Sequence, residues 1–189
     1  MSREQLIDKA VATALEVVGN IGPDQLDAPT PCTEFDVRKL VNHLLFWGPS
    51  LDGAARKETV PPPAASEADV DLTAGDWAAD LAAGLRARSA AWGEPSAWTG
   101  TTSLGGPDPM PAEVVGAMVL GEVVVHTWDL ARATGQAPTW DGGLLEFVHA
   151  DLVRTAPTAR SMGLFGPEVR VPADAPLIDR VVALTGRTP

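Results

Sequence analysis

The stretch GEVVVHTWDLARATGQ, residues 121–136, constrains the fold more than any other. Its valines and leucines recur at helical spacing, yet Glu122, His126 and Asp129 sit among them. At about 100° per residue, Glu122 and His126 lie only about 40° apart, with Asp129 about 20° to the other side of Glu122. Val115, Met118, Val119 and Ala133 share the same arc, so the polar groups project from the face expected to meet a protein interior. Burying an unpaired carboxylate is costly, so any fold of this chain must bring a cation to that face, whether a metal ion, an arginine or a proton.

Helical periodicity dominates the regular parts of the remaining chain. Leu6, Ile7, Ala10, Val11, Ala14, Leu15 and Val18 form a first apolar stripe, stopped by GNIGP. After a turn-rich connection, Thr33 and Asp36 resemble a capping box for a second helix over 34–57, whose face is Val37, Leu40, Val41, Leu44 and Trp47. Gly48-Pro49 is predicted to kink or interrupt it. The aperiodic, proline-rich 58–75 reads as a crossover or surface loop, and 76–95 restores a thin stripe through Trp77, Leu81, Leu85 and Ala91. A second irregular stretch, 96–111, ends at Pro111, predicted to lie in the first turn of a helix over 111–134 that Gly135 closes. A fifth helix over 142–155 takes Asp141 as its N-cap. The tail alternates briefly at EVRV before a short amphipathic helix holding Leu177, Ile178, Val181, Val182 and Leu184. Such a chain is expected to be all-α, a helical bundle with long crossovers in one domain spanning 1–189.

Charge and composition remove several function classes. A net charge of −11 without a Lys/Arg cluster argues against nucleic acid and against anionic lipid as partners. No run approaches the ~18 uninterrupted apolar residues a bilayer span needs, and the first twenty residues lack a secretory pattern. Cys32 has no second cysteine to pair with. A soluble, cytoplasmic protein is the expectation. Neither a Rossmann nor a P-loop glycine pattern is present.

Glu122 and His126, at i and i+4, have the spacing at which two side chains converge on one cation. A working metal site needs a third ligand. His43, beside Leu40 and Trp47, is the best candidate, and His149 is its rival. Against this, a Glu and a His one turn apart form a hydrogen-bonded pair more often than a ligand pair. Asp129 pairs with Arg132 in the plain reading and orients a ligating imidazole in the metal reading. Trp128 is read as packing and Cys32 as structural. Spacing alone leaves the metal site the minority reading.

Three blocks in order change that balance: TPCTEFDVRKLVNHL, GEVVVHTWDLARATGQ and FGPEVRVPADAPLIDRVVALTGR. They resemble the actinobacterial metal-binding proteins related to the N-terminal domain of mycothiol-dependent maleylpyruvate isomerase, in the DinB-like superfamily. The resemblance implies a DinB-like four-helix bundle with a short C-terminal helix. It also implies a divalent metal, zinc first with nickel or iron as alternatives, held by residues matching His43, Glu122 and His126. A small electrophilic substrate and a low-molecular-weight thiol, mycothiol, follow as implied partners, with a homodimer as the candidate assembly. The function expected is a thiol-dependent transferase or isomerase; the alternative is a non-catalytic, metal-dependent binding or stress-response protein.

Overall fold

The computed structural model describes residues 2–105 and 108–189 and is all-α apart from one two-residue hairpin. The backbone forms two compact units, Met1–Pro138 and Thr139–Pro189. In the first, helices α1 (Arg3–Gly19), α2 (Val37–Ala55), α3 (Trp77–Trp92) and α4 (Ala112–Ala133) make a four-helix bundle. Its principal helix contacts run α1 to α3, α3 to α2, α2 to α4 and α4 back to α1, so that α1 and α2 stand diagonally opposed. Two strands, β1 (Thr101–Thr102) and β2 (Met110–Pro111), pair antiparallel before α4.

The first three helices begin where the sequence supplies a cap. The Gln5 side chain accepts from the Ser2 amide at 3.1 Å, Asp36 accepts from the Lys39 amide at 2.8 Å, and Asp76 accepts from the Ala79 amide at 3.3 Å. The cap of α2 is thus Asp36 alone, and the predicted Thr33 capping box does not form. The stripes then bury as their periods require: Leu6, Ile7, Ala10 and Val11 on α1, Leu40 and Val41 on α2, Leu81 and Leu85 on α3, Val115, Val119 and Leu120 on α4. At roughly 1.5–3 kcal/mol for each fully buried aliphatic side chain, these faces supply the driving force, provided the polar groups among them find partners.

Of the predicted kink or interruption at Gly48-Pro49, the interruption is absent: α2 is one helix from Val37 to Ala55. Pro49 faces solvent and withholds only its own amide, and α2 packs against both α3 and α4. Gly48 is there for space, since a Cβ would stand 2.9 Å from a terminal nitrogen of Arg88. Pro111 is the N-cap of α4, outside the helix's first turn, and pairs with Thr101 in the hairpin, which the sequence reading left irregular. Gly116 of α4 lies beneath two indoles; a Cβ there would meet Trp98 at 2.4 Å and Trp92 at 2.8 Å.

In the second unit, α5 (Gly142–Ser161) starts at an Asp141 cap and continues through Pro157, six residues beyond the predicted end at 155. It packs on α6 (Leu177–Leu184), with Leu144, Val148, Val181 and Val182 buried. The alternation at EVRV does not become a strand; only Val169 bonds across, its amide donating to the Ala183 carbonyl. Position Gly186 requires glycine twice over, with φ of 88° and a would-be Cβ 2.7 Å from Gly166.

Candidate metal centre

His43 comes from the middle of α2, and Glu122 and His126 come from adjacent turns of α4. Their side chains meet: His43 Nε2 is 3.0 Å and His126 Nε2 is 3.6 Å from the same oxygen, Glu122 Oε1. One donor atom from each of the three lies within 4.8 Å of the others. The imidazole centroids are 5.4 Å apart, and Phe35 packs on both, 5.1 Å from the His43 ring and 6.5 Å from that of His126.

Each imidazole is also gripped from behind. His126 Nδ1 is 3.0 Å from Asp129 Oδ2, and His43 Nδ1 is 3.1 Å from both oxygens of Glu67. Glu67 is in turn fixed by the Trp47 indole, which donates to it at 2.5 Å. A carboxylate accepting from Nδ1–H sets the tautomer that offers Nε2 to a metal, and here both Nε2 atoms face Glu122; without a metal, the His43 Nε2 must carry a hydrogen to donate to that oxygen. Two imidazole nitrogens, each oriented by a further partner, and one carboxylate are the donor set that suits zinc and the other borderline divalent ions.

Electrostatics agree with the geometry. Burial would push the His43 imidazole down, but the Glu122 hydrogen bond and the charges of Glu122 and Glu67 outweigh it and hold His43 above its ordinary value. Burial would raise Glu122; His126, the hydrogen bond and charge of His43, and Arg88 overcome it and lower Glu122 to about 2. Arg88 is fully buried on α3, its Nε donating to Asp52 Oδ1 at 3.0 Å. Burial raises the Asp52 carboxyl, with Arg88 offsetting part of that rise. The cluster is closed on one side, where Asp129 is wholly buried, and open on the other, where the Glu122 side chain is 30% exposed.

The predicted trio is therefore brought together. His149 belongs to the second unit, on α5, where burial and the charge of Arg180 lower its imidazole. Asp129 turns to His126, while the Arg132 guanidinium lies over the Trp128 ring at 5.7 Å. Met118 departs from its predicted inward position and is 42% exposed: the row Val114, Met118, Glu122 runs along the bundle's border with solvent. Two features escaped the sequence reading. Arg88 falls on the Leu81, Leu85, Trp92 spacing and could have been flagged as a charge on an apolar row. Glu67 lies in the aperiodic crossover, where no pattern marks it.

The family model of the mycothiol maleylpyruvate isomerase N-terminal domain matches residues 7–131. The chain belongs to this family. Two uncharacterised proteins from two strains of Mycobacterium tuberculosis are each 33% identical to it over 178 residues, covering 91% of this chain and 90% of their own. The crystal structure of the mycothiol-dependent maleylpyruvate isomerase superposes with a TM-score of 0.62 at 15% identity, covering 85% of this chain and 71% of that one. The fold is thus the all-α, DinB-like one of the family. Within the family match lie all three site candidates and both of their carboxylate partners.

Proposed function

We propose that His43, Glu122 and His126 bind a divalent metal, zinc first, and that the protein uses a low-molecular-weight thiol to transfer to, or isomerise, a small electrophile. The convergence of both Nε2 atoms on one Glu122 oxygen, with both Nδ1 atoms held by carboxylates, carries this reading. A divalent ion in such a site favours the thiolate form of a bound thiol and polarises a carbonyl. The protein's own part is to orient: Asp129 and Glu67 fix the two rings, Phe35 packs across them, and the exposed edge of Glu122 leaves an approach from solvent. Three protein donors leave coordination positions open, as catalytic sites do and closed structural sites do not. The relative's name makes mycothiol the first thiol to try and maleylpyruvate the first electrophile.

Metal analysis of protein purified without a histidine tag, beside its His126→Ala variant, tests the site. Near-stoichiometric metal in wild type and little in the variant is expected; equally little in both overturns the reading. Incubation of the metal-loaded protein with mycothiol, glutathione or bacillithiol and a panel of electrophiles then tests turnover.

The same three ligands would serve a second reading, a metal-dependent binding protein without turnover. Two surface clefts, of about 540 and 420 Å³, are lined by residues such as Asp8, Leu15 and Arg86 in one and Leu45, Pro61 and Leu72 in the other, and neither includes a metal-site residue. Absence of reaction with every thiol, together with saturable ligand binding to the metal-loaded form, would select it.

A further inference from the structure

The segment joining α2 to α3, residues 56–76, holds no regular structure beyond short turns, and no residue from 58 to 72 is buried. It is held to the bundle by polar contacts with side chains of α2. Asn42 grips it twice, its Nδ2 donating to the Glu67 carbonyl at 3.2 Å and its Oδ1 accepting from the Leu72 amide at 2.8 Å. Arg38 reaches the Thr73 hydroxyl at 3.4 Å. A single turn of 3-10 helix, Glu67–Asp69, begins at Ser66, whose hydroxyl accepts from the Ala68 amide at 3.2 Å and aims the turn. From that turn the Glu67 carboxylate enters between Trp47 and His43, and of these contacts it is the one that touches a candidate ligand.

We infer that Glu67 is a positioning residue for His43, and that through it the docking of the crossover and the binding of the metal are linked: each strengthens the other. This rests on the metal reading above. The argument is one of geometry. With Nδ1–H donated to Glu67, the His43 ring is held in the tautomer and orientation that present Nε2 toward Glu122. Released from the crossover, the same ring keeps its place on α2 but loses the partner that fixes its rotation and tautomer. The linkage is reciprocal, so whatever factor the docked crossover adds to metal affinity, the metal adds to crossover docking. His126 has no such dependence, because Asp129 reaches it from the same helix.

The test uses the full chain without a tag. Zinc affinity is measured by chelator competition for wild type, Glu67→Ala and Glu67→Gln, and amide hydrogen exchange over 58–75 is followed with and without zinc. Loss of an outer partner typically costs about 10–100-fold in metal affinity, and that is the drop expected for Glu67→Ala. Glu67→Gln, whose side-chain carbonyl still accepts from Nδ1–H, should recover most of it. Zinc should slow exchange across 67–73 in wild type and leave it unchanged in Glu67→Ala, a response that a purely structural anchor would not give. Wild-type affinity in Glu67→Ala, or equal zinc protection of the crossover in both proteins, overturns the inference while leaving the metal site standing. A wild type that binds no zinc overturns the metal reading and the linkage together.

Discussion

His126 and His43 each turn Nε2 toward Glu122 and give Nδ1 to a carboxylate, yet those carboxylates come from regions of opposite character. Asp129 is three residues from His126 on the same helix and wholly buried, so its position is fixed as soon as α4 forms and packs. Glu67 is 24 residues from His43 on an exposed crossover, and its side chain is 29% exposed. Bringing it to the ring requires closing a loop, at an entropic cost the core does not offset. One half of the site is thus built by the bundle, and the other half is completed by a segment that contributes nothing to the core.

Single substitutions on either side of the site put this contrast to the test. The largest effect belongs to the group both halves share: Glu122→Ala should abolish stoichiometric metal, lowering zinc affinity by more than about 100-fold, as read from metal content and chelator competition. Next comes stability without metal. Asp129→Ala should cost about 1–3 kcal/mol, because a buried imidazole nitrogen loses its partner, whereas Glu67→Ala should cost less than about 1 kcal/mol, as for other partly exposed pairs. Urea midpoints at unchanged slope would show it, and equal losses would erase the distinction.

A smaller effect is expected from pH, again on metal-stripped protein. His43 is held above its ordinary value of 6.5, so the stability it contributes is fully present below pH 6.5 and is lost as pH rises through its raised value. Glu122 works the other way: its contribution is present above 4.5 and is lost as pH falls toward about 2. Urea midpoints should therefore decline on the alkaline side in wild type, and this part of the decline should vanish in His43→Gln. The smallest change is reserved for Phe35→Leu. It preserves an apolar contact with both rings and should shift zinc affinity by no more than a few-fold.

What could be read in the sequence divides along the same line as the site. The pairing of Glu122 with His126 and the nearness of Asp129 follow from helical spacing, and the trio with His43 from matching family blocks. Helix existence and capping at Asp141 were equally legible, because caps and apolar periods are local signals. Glu67 was not legible, because a contact 24 residues away within a stretch rich in proline and alanine leaves no period. The Arg88 and Asp52 pair was half legible: each charge lies on its helix's apolar row, but only packing of α2 on α3 makes them partners. Pro49 misled for the complementary reason. A breaker rule is local, and in a helix packed on two neighbours the chain continues past the proline without interruption.

The indoles of Trp92 and Trp98 seated over Gly116 act on α4 as a key acts on a shaft. Turning the helix by one residue's worth, about 100°, would swing Glu122 out of reach of His43. It would also put a side chain where the two rings now leave room for none. The bearing of the carboxylate is thus locked nearly two turns away, by a residue whose contribution is having no side chain at all.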